Sequence, residues 1–243
     1  MRVLLLQFRP DPVVSDHEYR LVLKGSGLQA GEFVVVNALV SLLGDEVLEG
    51  IDAVIIGGSG DYLLSRGDIP EVVERVTRLI RLIRVRRIPL LGICFGAQLM
   101  TKALGGKVEL DIERAELGTF DIETLPAAAH CPLFGEASPR FAAQLGHKDH
   151  LTVLPEGAVH LAASERSRHQ AYTFAGEPLY ALTFHPELDE EAVLYRVDYY
   201  ATEYLTPRET LVQMRERVRP SPEASSFLSR FIERIVREGV RYP

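Results

Sequence analysis

Residues 88–106 read Ile-Pro-Leu-Leu-Gly-Ile-Cys-Phe-Gly-Ala-Gln-Leu-Met-Thr-Lys-Ala-Leu-Gly-Gly, and the rest of the chain is arranged around them. A short apolar run from Leu90 to Ile93 ends at Cys94, with Gly92 and Gly96 two residues to either side. Leu99, Met100, Ala103 and Leu104 then recur on one helical face until Gly105-Gly106 stops the pattern. This is a glycine–x–nucleophile–x–glycine elbow with cysteine as the nucleophile. A strand that turns sharply into a helix stands that residue at the carboxyl end of a sheet and at a helix N-terminus. The helix dipole favours an anion there and so raises the thiolate fraction. Without the glycines and the helix, a cysteine at such a turn would read as a small buried hydrophobe.

A thiolate nucleophile needs a base, and the base needs a group to orient it. One later apolar run ends in a histidine: Leu179-Tyr-Ala-Leu-Thr-Phe-His185-Pro186-Glu187. A strand delivers His185 at its end, Pro186 biases it toward extended geometry, and Glu187 follows two residues on. An imidazole and a carboxylate so placed can hydrogen-bond, as the base and orienting acid of a triad do. Alone, His-Pro-Glu is a surface turn; with the elbow it points to Cys94, His185 and Glu187 acting together.

Gly-Ile-Cys94-Phe-Gly-Ala-Gln98 followed by Phe-His185-Pro-Glu187 resembles the class I, triad-type glutamine amidotransferases, over about residues 1–188. Within them the chain is most similar to stand-alone members related to the amidotransferase domain of GMP synthase. The resemblance implies an oxyanion hole made by the backbone amides of Gly58, in the Gly57-Gly58-Ser59-Gly60 loop, and of Phe95. Gly-rich loops admit close approach of a ligand, and acyl transfer needs donors aimed at the developing oxyanion. The family often has proline after the two glycines, where this chain has Ser59. The family also places a glutamine one turn after the nucleophile, which makes Gln98 a candidate substrate contact. In the family a similar His-x-Asp step lines the glutamine pocket from a loop, which makes His147 and Asp149 candidate pocket or loop-stabilising residues.

The remaining sequence reads as one α/β domain with a mostly parallel central sheet and helices on both faces, plus a small antiparallel meander and C-terminal helices; the resemblance implies that the sheet is flavodoxin-like. Apolar runs at residues 2–8, 32–37, 52–56, 107–110 and 118–125 are expected strands, as are 158–164, 170–174 and 179–184. A helix is expected from about Asp16 to Lys24. Another runs from Glu71 to Val85, where Val72, Val73, Val76, Leu79, Ile80 and Ile83 form an apolar stripe. Residues 144–150, Gln-Leu-Gly-His-Lys-Asp-His, are polar and read as loop. Glu116-Leu117-Gly118 matches a family step to which no chemistry is assigned, and Cys131, beside a proline, is read as structural. Beyond Leu188 the sequence becomes charged and helical. Thr206-Pro207-Arg208-Glu209 has the form of a capping box, and another helix begins at Ser221-Pro222. The expected organisation is a core over 1–188 and a helical extension over 189–243 that covers the sheet.

A length of 243 residues suffices to bury a large core, and 47% hydrophobic with 25% charged residues is ordinary for a soluble globular protein. The net charge of −7 leaves no basic footprint for nucleic acid. No apolar run reaches the ~18 residues of a membrane helix, and the N-terminus enters the first strand without the form of a signal peptide. Two cysteines, Cys94 and Cys131, suit a free thiol in a reducing cytoplasm. The spacing of His147, Asp149 and His150 matches no common metal motif, so neither metal nor cofactor is expected. The functional expectation is release of ammonia from glutamine through a Cys94 thioester. A γ-glutamyl peptide hydrolase using the same triad is the nearest alternative, and a non-catalytic binding module of the same fold is a third. No P-loop is present, so amination of an acceptor would need a separate synthetase subunit.

Overall fold

Val-Leu-Leu-Leu-Gln at residues 3–7 is buried at every position, as a parallel strand covered on both faces must be. The computed structural model describes residues 1–204 and 210–239. In chain order it contains β1 (Val3–Gln7), α1 (Pro12–Ser26), β2 (Phe33–Asn37), β3 (Ala53–Ile56), α2 (Pro70–Arg86), β4 (Leu90–Ile93) and α3 (Phe95–Ala103). There follow β5 (Lys107–Leu110), β6 (Glu116–Thr124), β7 (Arg140–His147), β8 (Asp149–Val153), β9 (Ala158–Ala163), β10 (Ala171–Phe174) and β11 (Glu177–Leu182). The chain continues through α4 (Glu190–Tyr199), α5 (Ala201–Tyr204), α6 (Leu211–Arg217) and α7 (Pro222–Arg230), which runs on as a wider helical turn to Arg237.

The main sheet has the order β2-β1-β3-β4-β11-β10-β9-β6-β7. The five strands from β2 to β11 pair in parallel, with β11 matching Leu182 to Ile93 of β4. From β11 outward the pairings through β10, β9, β6 and β7 are antiparallel. β5 and β8 form a separate two-stranded ribbon.

The period of two along each central strand divides the core. Val3, Leu5, Ile55, Leu91 and Ile93 face one layer, where Val22 of α1 and Phe227, Leu228 and Phe231 of the α7 segment cover them. Leu4, Leu6, Val54, Ile56 and Leu90 face the other, against Val76, Ile80 and Ile83 of α2 and Leu99 and Met100 of α3. The apolar stripe of α2 is thus the stripe read from its sequence. The last helical segment closes the sheet and is part of its core.

Two expectations need correction. Helix α1 starts at Pro12, with the Asp11 side chain accepting from Val13 N–H; proline suits that first turn because its missing N–H would be unpaired there anyway. Residues 144–150 are no loop: Gln144–His147 end β7 and Asp149–His150 begin β8. They look polar because the polar groups are satisfied inside. The Gln144 side chain accepts from Thr119 Oγ1 at 2.8 Å and donates to Arg219 O at 2.9 Å and Ser221 Oγ at 3.0 Å. The capping box expected at 206–209 lies outside the described residues. One is formed by Thr210 and Gln213, whose side chain and backbone bond reciprocally at the start of α6.

Candidate active site

Strands β3, β4 and β11 are adjacent and parallel, so their carboxyl ends bring Gly57-Gly58, Cys94 and His185 to one place. This is where α/β sheets bind ligands. Cys94 sits at φ 49° and ψ −103°, a conformation that L-residues rarely adopt and that costs about 1–3 kcal/mol. The surrounding backbone enforces it. Cys94 N–H donates to Leu182 O at 2.8 Å, Gly96 N–H to Gly57 O at 3.1 Å, and Gln98 N–H to Cys94 O at 3.0 Å. The Phe95 ring packs edge-on against Phe8, 5.2 Å between centroids, and anchors the first residue of α3 in the core.

The elbow glycines are there because backbone runs against backbone. A Cβ on Gly96 would lie 2.2 Å from Ile56 O, and one on Gly92 would lie 2.5 Å from Met100 Sδ and 2.8 Å from the Gly96 carbonyl. In the 57–60 loop, whose glycines were expected to serve approach of a ligand, the obstacles are side chains. A Cβ on Gly57 would meet Glu18 Oε1 at 2.9 Å, one on Gly58 His185 Cε1 at 3.0 Å, and one on Gly60 the Tyr200 ring at 2.5 Å. Ser59 supplies rigidity that a proline would otherwise give: its hydroxyl accepts from the N–H groups of Asp61 at 3.3 Å and Tyr62 at 3.2 Å.

His185 Nδ1 lies 2.6 Å from Glu187 Oε1, and both residues are buried. Burial alone would lower the imidazole pKa, but the Glu187 carboxylate and the Cys94 sulfur beside it raise it strongly. Burial acts to raise the Glu187 carboxyl, and the imidazole, helped by the charge of Arg196, holds it below its ordinary value. Cys131 is different. It is buried without a charged partner, and desolvation pushes its thiol up to about 11.

Cys94 opens into a cavity of about 290 Å³ whose wall includes Gly60, Phe95, Gln98, Gly146 and His147. Its rim carries both signs of charge, from Asp61, Arg66, Asp68 and Lys148. Gln98 Nε2 reaches Asp149 O at 3.5 Å, and His147 Nδ1 lies 3.1 Å from the same carbonyl. His147 thus joins the cavity wall from the end of β7. Asp149 points away: its carboxylate accepts from Ser65 N–H at 3.0 Å and from Ser65 Oγ at 2.5 Å, tying the loop after β3 to β8.

Sequence reasoning passed over Glu116. It is fully buried, and His147 Nε2 stands 3.2 Å from its Oε2. Burial acts to raise its carboxyl, but His147 and the Ser164 hydroxyl, 2.7 Å away, hold it below the usual range. The Glu-Leu-Gly step was the available signal. Arg9 and Tyr200, which back the glycine loop, carried none. His150 is buried, with neither ring nitrogen hydrogen-bonded, and desolvation and the neighbouring His147 lower it to about 4. Among the described residues no cluster of three or more His, Cys, Asp or Glu could hold a metal, and no helix is long and apolar enough to cross a membrane.

Fold and elbow together define an α/β protein with a cysteine at a strained nucleophile turn. The chain belongs to the class I glutamine amidotransferase family, whose sequence model matches residues 32–192. One of the subunits of the glutamine-hydrolysing GMP synthase of Methanopyrus kandleri is 32% identical over 144 residues, covering 59% of this chain and 71% of that protein. The glutamine-hydrolysing GMP synthase of Prochlorococcus marinus is 35% identical over 101 residues, 42% of this chain but only 19% of that protein. In three dimensions the chain is similar to a glutamine amidotransferase from Thermotoga maritima, with a TM-score of 0.74, 21% identity and 98% of each chain covered. At that identity the likeness speaks for the fold.

Proposed function

We propose that this chain hydrolyses the side-chain amide of glutamine with Cys94 as nucleophile, His185 as acid and base, and Glu187 as the orienting acid. The observation that carries the reading is the buried His185–Glu187 contact of 2.6 Å beside Cys94 on its strained elbow, at the floor of a cavity. The Cys94 thiolate attacks the carboxamide carbon, and the carbonyl oxygen becomes an oxyanion. The N–H groups of Gly58 and Phe95 hold that oxyanion; the first-turn N–H groups of a helix have no intrahelical partner to lose. The imidazolium of His185 protonates the departing nitrogen, which leaves as ammonia, and a thioester remains on Cys94. His185, now neutral, takes a proton from water, which attacks the thioester and releases glutamate. The raised pKa of His185 keeps its imidazole protonated, as the proton donor in this sequence must be.

Gln98 and His147 contact substrate from the cavity wall, while the charges at the rim suit a zwitterionic amino acid. The Methanopyrus relative is one of the subunits of a GMP synthase, which supports passage of the ammonia to a separate synthetase subunit. The same reading takes residues 1–243 as one domain, acting in the cytoplasm. The test is to incubate the purified chain with glutamine and with a panel of γ-glutamyl peptides and assay ammonia and glutamate. Hydrolysis of glutamine that rises when a synthetase and its acceptor are added supports the reading. A high kcat/KM for a γ-glutamyl peptide, unchanged by any partner, makes the chain a peptidase. No turnover of either, with Cys94 inert, leaves a binding module.

A further inference from the structure

The buried residues of α4 are Ala192, Val193, Arg196 and Val197, and Tyr200, its buried C-cap residue, continues the same side of the helix. Arg196 lines a small cavity behind the site together with Arg9, His185 and Glu187. One turn on, Tyr200 lies against the glycine loop. Its ring occupies the space a Gly60 side chain would need. Its hydroxyl donates to Asp61 Oδ2 at 3.0 Å and accepts from Arg9 Nη1 at 3.3 Å. Arg9 is itself buried, its Nη2 2.8 Å from Glu18 Oε1 and 3.3 Å from where a Gly58 Cβ would stand. Tyr199 fixes the same end of α4 by donating its hydroxyl to Asp11, the cap of α1. One tyrosine therefore touches the loop at Gly60 and Asp61 and bonds the arginine that backs Gly58.

We propose that Tyr200 is a positioning residue for amide hydrolysis: its ring and hydroxyl hold residues 57–61 in the conformation that aims the Gly58 N–H at the oxyanion. This rests on the glutamine-hydrolysis reading above. The helical extension is then a working part of the site, and a partner seated on α4 would have a direct mechanical route to the oxyanion loop. A displaced donor costs transition-state stabilisation and leaves the ground-state contacts of glutamine at Gln98, His147 and the charged rim intact.

The test compares wild type with Tyr200→Phe, which keeps the ring and removes both hydroxyl bonds. Amide hydrogen exchange is read at Asp61 and Tyr62, whose N–H groups bond Ser59 Oγ, and at β1, β3 and β4 as reference. Glutamine turnover is measured on the same preparations. The expected result is exchange faster by about tenfold or more at 61–62 with the reference strands unchanged, and kcat lower by about tenfold or more with KM within about twofold. Unchanged exchange at 61–62 overturns the proposal, as does a loss of protection spread evenly over the core strands. Faster local exchange with kcat untouched also overturns it. A wild-type chain that never hydrolyses glutamine sinks the functional reading instead, while the exchange data still decide whether Tyr200 holds the loop.

Discussion

His185 and Glu187 are two residues apart in sequence, yet their side chains meet at 2.6 Å inside the protein, where water cannot compete for the contact. The imidazole is raised and the carboxyl lowered, so each stabilises the charged form of the other. The stability contributed through His185 is complete below its ordinary pKa of about 6.5 and disappears as pH rises through the raised value. That contributed through Glu187 is present above the ordinary carboxylate range and disappears as pH falls through the lowered one. Glu187→Gln removes the second and the Glu187-dependent part of the first, leaving what the Cys94 sulfur supplies. The variant's Tm should fall furthest below wild type at mildly acid pH, between the ordinary carboxylate and imidazole values of about 4.3 and 6.5, with the two converging at either extreme. The alkaline limb of its kcat/KM profile should move to lower pH, because His185 then gives up its proton more readily. An alkaline limb in the wild-type position would detach Glu187 from the base.

Turnover should separate the three residues. Cys94→Ala and His185→Ala are each expected to cost on the order of a million-fold in kcat, and Glu187→Gln about 10⁴-fold, leaving a measurable remainder. Glutamine turnover by His185→Ala comparable to wild type would place the base elsewhere, with His147 the next histidine on the cavity wall.

Labelling should distinguish the two thiols. Cys94 faces the cavity on a helix N-terminus, whereas desolvation pushes the Cys131 thiol to about 11. A glutamine-analogue electrophile at neutral pH should therefore modify Cys94 first. Peptide mapping reads this out, and label confined to Cys131 would contradict it.

Elements made of uninterrupted apolar residues were legible from the sequence, because burial on both faces leaves no room for anything else. β1, β4 and the strand leading to His185 are of this kind, and with them came the elbow and the His185–Glu187 pair. β7 was missed because Gln144 and His147 interrupt its apolar character. Their partners, Ser221 and Glu116, lie 77 and 31 residues away, a distance no periodicity reports. Tyr200 was hidden for the same reason, since it meets Arg9 across 191 residues. The glycines at 57–60 were located correctly, but the side chains that exclude a Cβ there come from α1, from the turn after β11 and from the end of α4. Only the assembled fold shows them.

The elbow glycines give a stability test with an internal control. Gly96→Ala would put a methyl 2.2 Å from Ile56 O, where the obstacle is backbone at the centre of the sheet. Nothing lies within 4 Å of a Cβ on Gly31, which is exposed. Urea unfolding should find Gly96→Ala less stable by about 1–3 kcal/mol or more, with Gly31→Ala within about 0.5 kcal/mol of wild type. Equal midpoints would mean that strand and helix do not approach so closely.

Two ion pairs of similar length should differ widely in worth. Arg9–Glu18 spans 2.8 Å with both side chains buried, and the other Glu18 oxygen accepts from Gln7 Nε2 at 3.0 Å. Lys24–Asp189 spans 2.9 Å at the surface, with both side chains largely in water. Breaking a buried pair strands a charge without solvent, so Glu18→Ala should destabilise by about 3–5 kcal/mol. Screening and side-chain freedom limit the surface pair, and Lys24→Ala should cost no more than about 1 kcal/mol. Glu18→Ala also removes the carboxylate that backs Gly57, so glutamine turnover should fall along with stability, whereas Lys24→Ala should leave turnover unchanged. Urea titration at two salt concentrations checks the distinction, since only the Lys24–Asp189 contribution should shrink as salt rises. A Glu18→Ala protein as stable as Lys24→Ala would show that Arg9 finds another counter-charge, and that the glycine loop does not depend on this pair for its support.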